Sequence, residues 1–189
     1  MTHGARPCAR RRPGALVIAL AAGLVGLAGG APAETRRVEG TGTGLAEALA
    51  SARAGDVIEL GPGVYPGPVR IERSVILRGR GGVIDGGGAG TPLRVVAAGA
   101  RVEGVTVRNS GTDVGAPDAC LYVEPTATGA AILDNRLEDC AFGIWVHETD
   151  GVRLVGNRVR GRAGVRVSDR GNGIHLFDAK NVLVRDNVV

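Results

Sequence analysis

The sequence predicts a right-handed parallel β-helix, a solenoid of short strands closed at its N-terminal side by a short capping helix. Three observations carry this. First, a unit recurs: Gly143-Ile144-Trp145-Val146 leads fourteen residues later to Asn157, and Gly173-Ile174-His175-Leu176 leads fourteen residues later to Asn187. A repeat of about 20–30 residues is the mark of units that bury their apolar faces only against neighbouring units. Second, the chain beyond residue 55 reads as short aliphatic and β-branched runs bounded by Gly, Pro, Asn or Asp. Third, only 3% of residues are aromatic, which suits a thin core of stacked aliphatic layers. A sandwich is the other all-β choice, and long-period register with recurring turn asparagines favours the helix.

The first 33 residues are read apart from the fold. Arg6, Arg10, Arg11 and Arg12 precede an apolar run from Ala15 to Gly30, and Ala31-Pro32-Ala33 has the small-residue form of a cleavage site. This pattern is that of a secretory signal peptide, residues 1–33, and not of a retained membrane span. Of the 23 Lys and Arg, four lie in this leader, which leaves 19 against 19 Asp and Glu. The basic balance therefore belongs to the leader, and composition makes no case for nucleic-acid binding.

Residues 34–55 form an N-terminal segment. Glu34 to Gly44 reads as a polar leader to a helix in which Leu45, Ala48, Leu49 and Ala52 share one face, with Gly55 as its stop. A helix this short and weakly apolar fits the end of a solenoid, whose first coil needs a cover. Residues 56–189 supply the coils. Val57–Leu60, Val69–Ile71, Val75–Leu77, Val83–Asp85, Leu93–Val96, Val102–Val107 and Cys120–Val123 follow one another as strands, and no second helical pattern intervenes. That excludes alternating βαβ folds. Asn109, Asn135, Asn157 and Asn187 recur at turns, where Asn tolerates a left-handed backbone and can bond to the Asn of the next coil. The sequence stops at Val188-Val189 within a coil, so the stack is expected to continue in a longer protein.

Spacing between coils is uneven. Asn135 to Gly143 is eight residues but Asn157 to Gly173 is sixteen, so eight extra residues enter near Gly161 to Arg170. Solenoid insertions map to loops on one face, often the binding face. This one carries a basic set, Arg160, Arg162, Arg166 and Arg170. Strand alternation places Ile144, Val146, Ile174 and Leu176 inward. Outward it places two columns, Tyr122, Trp145, His175 and Glu124, His147, Phe177. Such an aromatic strip on a flat sheet is a candidate partner surface; the other reading is that the insertion folds over it. The same alignment sets Cys140 three residues ahead of the position shared by Cys120 and Gly143. Three residues along a strand are about 10 Å, beyond disulfide reach, so two free, buried thiols are expected.

Chemistry is sparse. Asp134, Asp139, Asp150, Asp169, Asp178 and Asp186 sit beside turns, where Asp is common. No pair of carboxylates converges as glycoside hydrolysis requires, and no nucleophile motif or phosphate loop is present. His147 and His175 are the candidate metal ligands, outward on adjacent coils, with surface histidines as the alternative. The chain has no Met beyond Met1, and soft Cu(I) favours Cys and Met.

At Arg170-Gly171-Asn172-Gly173-Ile174-His175-Leu176-Phe177 the sequence resembles the NosD family. The likeness extends to Gly61-Pro62-Gly63-Val64-Tyr65, Val83-Ile84-Asp85-Gly86-Gly87-Gly88, Val105-Thr106-Val107-Arg108-Asn109-Ser110-Gly111 and Asp134-Asn135-Arg136-Leu137. The resemblance implies a periplasmic, non-enzymatic accessory protein in the maturation of the copper centre of nitrous oxide reductase. It also implies copper as the metal handled by the system. The partners implied are the membrane and ATPase subunits of an ABC transporter and a copper chaperone lipoprotein. The second functional class is a carbohydrate-active β-helix, an epimerase or lyase of uronic-acid polymers.

Overall fold

The computed structural model describes residues 1, 32–166 and 169–189. The expected leader falls almost wholly outside the described residues. Within Pro32–Val189, strands follow one another in threes, and each coil lies on the one before. The chain opens with β1 (Thr35–Val38) and α1 (Gly44–Ser51). The first coil is β2 (Val57–Leu60), β3 (Gly63–Pro66) and β4 (Val69–Ile71); the second is β5 (Ile76–Gly79), β6 (Gly82–Asp85) and β7 (Leu93–Val95). The third is β8 (Arg101–Glu103), β9 (Thr106–Arg108) and β10 (Ala119–Val123), and the fourth β11 (Ala131–Leu133), β12 (Arg136–Cys140) and β13 (Phe142–His147). Then come β14 (Arg153–Val155), β15 (Arg158–Gly161) and β16 (Ile174–Phe177), followed by β17 (Leu183–Arg185).

Every strand pairs in parallel with its counterpart one coil away. Three sheets result: A, ordered β1-β2-β5-β8-β11-β14-β17; B, ordered β15-β12-β9-β6-β3; and C, ordered β16-β13-β10-β7-β4. This is the right-handed parallel β-helix that the repeat predicts. One expectation is corrected at the start. Residues 35–38 are a strand, with Arg36 and Arg37 in register with Ile58 and Glu59. Polar side chains hid it because an edge strand needs only backbone partners on one side.

Alternation builds the core. Ile58, Leu77, Val102, Ile132 and Leu154 stack under sheet A; Tyr65, Ile84, Val107, Leu137 and Val159 under sheet B; Leu93, Leu121 and Ile144 under sheet C. All are buried, and each is worth about 1.5–3 kcal/mol of apolar burial. Leu45, Leu49 and Ala52 of the helical segment close the first coil. Gly143 recurs as Gly173 for a steric reason: a Cβ on Gly143 would collide with the carbonyl oxygen of Gly173.

The turn asparagines divide into two kinds. Asn135, Asn157 and Asn187 form one ladder. Asn157 Oδ1 accepts the backbone N–H and the Nδ2 of Asn135, both at 3.0 Å, and Asn187 Oδ1 accepts the same two groups of Asn157, both at 2.9 Å. Each Nδ2 also donates to a strand carbonyl, of Val102, Ile132 or Leu154. The left-handed residue is the one before each: Asp134 at φ 53°, Gly156 at 71° and Asp186 at 57°. Asn109 is corrected out of this set. It lies past the next strand, is itself left-handed at φ 55°, and donates to Asp85.

The two cysteines are also corrected. Cys120 and Cys140 form a disulfide with Cα atoms 5.4 Å apart. Cys120 does hold the register position of Gly143, between Ala119↔Phe142 and Leu121↔Ile144. Cys140, however, ends β12 in sheet B, while Phe142 begins β13 in sheet C. The chain turns a corner at Ala141, so three residues of sequence do not separate the thiols along one line.

Candidate functional site

The corner between sheets B and C and the outer face of sheet C carry the chain's unusual side chains. Register places Arg70, Arg94, Tyr122, Trp145 and His175 in one outward column. His147 and Phe177 are in register in the second, with Glu124 just past β10. Parallel strands about 4.8 Å apart bring like positions close to ring-stacking distance, and the side chains use this. The Arg94 guanidinium lies 4.4 Å from the Tyr122 ring centre, a cation–π contact. Tyr122 and Trp145 are parallel within 2° at 6.4 Å, and Trp145 and His175 within 18° at 3.9 Å. Phe142 meets Trp145 edge to face at 4.7 Å.

The rings therefore lie face to face along the helix axis and present their edges outward. Tyr122 is buried between Arg94 and Trp145, whereas Phe177 remains 47% exposed. Burial raises the Tyr122 phenol above its ordinary range; Glu124 adds to this and Arg94 opposes it. Tyr122 thus stays protonated, and its hydroxyl is hydrogen-bonded to His147 Nδ1 at 2.6 Å. His147 Nε2 is 3.4 Å from a Glu148 carboxylate oxygen. His175 Nδ1 accepts from Asn172 Nδ2 at 2.8 Å. The Trp145 indole N–H is covered and has no hydrogen-bond partner among the described residues.

At the corner beside the strip, two insertions flank the short turn at Ala141. One is residues 162–173, where the repeat spacing places it. The other, residues 109–118 between β9 and β10, was hidden because its coil has no second Gly-Ile unit to count from. Arg162 joins them, donating to the carbonyls of Ser110 at 2.8 Å and Asp139 at 3.2 Å. Thr112, Ala141, Arg162, Val165 and Arg170 line a cavity of about 180 Å³ there. The described part of the basic insertion thus packs at the corner. The basic set does not act as one cluster. Arg160 is 3.8 Å from Asp139, Arg170 Nε donates to Val165 O, and the Arg166 side chain is exposed. Val167 and Ser168 lie outside the described residues.

These donors do not fit a soft-metal site. Both thiols are spent in the disulfide, no Met follows Met1, and each histidine has its Nδ1 engaged by a neighbour. Among the described residues, no group of three or more His, Cys, Asp and Glu side chains could hold a metal ion. Also among them, no helix is long and apolar enough to cross a membrane. Sequence reasoning missed Phe142 and Arg94. Phe142 precedes the repeat unit at a corner, and Arg94 was read only as a strand residue, although it stands in register with Tyr122.

No family model matches the chain. It is 38% identical over 191 residues to the protein named probable ABC transporter binding protein NosD of Pseudomonas aeruginosa, covering 100% of this chain and 41% of that protein. It is 41% identical over 128 residues to the protein of the same name from Stutzerimonas stutzeri, covering 67% of this chain and 29% of that one. The chain spans about two-fifths of the length of the first of these relatives. Repeat, fold and comparison agree, and the chain is a homologue of the NosD proteins over its whole length.

Proposed function

We propose that this chain is part of a periplasmic, non-catalytic scaffold that binds the components of an ABC transporter system serving copper-centre maturation of nitrous oxide reductase. The relatives' printed name supports the transporter association. Within the chain, the observation that carries the reading is the continuous stack of Tyr122, Trp145 and His175 along the outer face of sheet C. Rigid aromatic side chains lose little entropy on binding and dominate contact surfaces. Trp145, His147, His175 and Phe177 are the proposed contacts, with the buried Tyr122 supporting Trp145 and His147 from behind and the basic corner beside them. Copper enters as cargo of the partners, a chaperone lipoprotein among them, because the donors here suit direct soft-metal binding poorly.

The carbohydrate-active reading loses its platform on this face. Sugar stacking needs open ring faces, and those of Tyr122 and Trp145 are covered by Arg94, by each other and by His175. The test is co-purification of full-length protein with the transporter subunits, repeated with Trp145→Ala and His175→Ala. Loss of the complex with an unchanged fold is expected. Undiminished assembly in both variants removes the strip from the mechanism.

A further inference from the structure

Of the six asparagines in the sequence, only Asn172 is followed by glycine. It lies outside regular structure in the exposed approach to β16. Asn135 and Asn157, by contrast, are buried in the ladder with their amides fully engaged. Gly173 carries no Cβ to bar the approach of its own nitrogen to the Asn172 side-chain carbonyl. The amide nitrogen that would leave in such an attack is the one held 2.8 Å from His175 Nδ1.

We infer that Asn172–Gly173 is a self-modifying site, at which His175 acts as general acid in the conversion of Asn172 to aspartate and isoaspartate. The Gly173 nitrogen bonds to Asn172 Cγ, and its proton passes to hydroxide. In the resting state the amide donates to the neutral ring. In the tetrahedral adduct the nitrogen has regained its lone pair; the ring takes a proton from water at Nδ1, and the hydrogen bond reverses. The Cγ–Nδ2 bond breaks as the nitrogen takes that proton from the ring and departs as ammonia while the oxyanion collapses to the carbonyl. The ring is left neutral, as in the resting state. Water then opens the resulting succinimide at either carbonyl, giving aspartate or isoaspartate; no oxidant or reductant is involved.

The surroundings leave His175 free for this role. Trp145 and Phe142 of β13 pack on its ring, and neither is charged. The titratable groups nearby on sheet C, Tyr122, His147 and Glu148, engage one another. The product has structural consequences. A carboxylate at position 172 can no longer donate to His175. Isoaspartate also adds a backbone atom beside the carbonyls of Asn172 and Gly173, which accept the N–H groups of Gly143 and Ile144 at 3.2 and 2.9 Å. The register of β16 on β13, and with it the Trp145–His175 stack, would be lost.

The experiment is timed peptide mapping of the purified full chain, with ammonia release followed across pH, for the wild type, His175→Gln and Gly173→Ala. Both acidic products are expected at residue 172, at a rate ~100-fold lower in His175→Gln, the lower end of a positioned general acid. The wild type and His175→Gln should differ in pH profile, the variant's rate rising with hydroxide throughout. Gly173→Ala should suppress both products. A rate unchanged or faster in His175→Gln, or the same pH profile in both, overturns the role of His175. No conversion in the wild type overturns the site.

Discussion

Replacing Asn157 by Ala should open the stack at its centre. Asn157 is fully buried, and its amide closes four hydrogen bonds: two accepted from Asn135, one donated to the Ile132 carbonyl at 2.9 Å and one to Asn187 Oδ1 at 2.9 Å. Alanine strands the Asn135 backbone N–H completely, at a cost of about 1–3 kcal/mol. The Asn135 Nδ2 keeps its bond to Val102 O, and Asn187 Oδ1 keeps the Asn157 N–H, so those losses are partial, as is that of Ile132 O. Summed, the expected cost is about 3 kcal/mol, against a total of about 5–15 kcal/mol for a domain. Asn109→Gly is the control. It removes two bonds to Asp85 but suits the left-handed backbone there, and it should cost about 1 kcal/mol. The assay is guanidinium unfolding joined to native-state hydrogen exchange. A solenoid transmits damage to neighbouring coils first, so protection should fall most in β11 and β14. If Asn157→Ala costs no more than Asn109→Gly, or protection falls evenly along the chain, the ladder is not what holds these coils in register.

Two further outcomes follow from the same geometry. Cys120→Ser with Cys140→Ser, or reduction under native conditions, should lower stability by about 3 kcal/mol, the chain-entropy value for a loop of this size, given a separation of 20 residues; unchanged unfolding would show that the corner is held without the bridge. Carboxylates set the acid limit. Burial would raise the Asp85 carboxyl, but the Gly87 N–H, the Asn109 amide and Arg108 outweigh it and hold it below the ordinary range; Arg136 chiefly does the same for Glu138. A pKa lowered on folding contributes stability above the unfolded value, near 4, that is lost as pH falls through the folded one. Asp85→Asn should therefore flatten the loss of stability below about pH 4, as read from unfolding midpoints across pH, and an identical slope in the variant would exclude Asp85 from it.

Much of this molecule was legible in the chain because a solenoid repeats its solution. Each coil meets the same neighbours, so the Gly-Ile unit, the inward Ile and Val, and the insertion before Gly173 recur in register and can be counted. Alternation likewise separated Tyr122, Trp145, His147, His175 and Phe177 from the core, since successive side chains on a strand point to opposite faces. What counting cannot supply is the path around corners. Asn109 resembled its namesakes until the coil placed it one turn further on, and Cys140 stood too far from Cys120 until the bend at Ala141 brought it back. The face-to-face stacking of Arg94, Tyr122, Trp145 and His175 was likewise decided only in three dimensions. Register sets which residues are neighbours, but side-chain rotation and packing against Phe142 decide whether rings offer faces or edges to a partner.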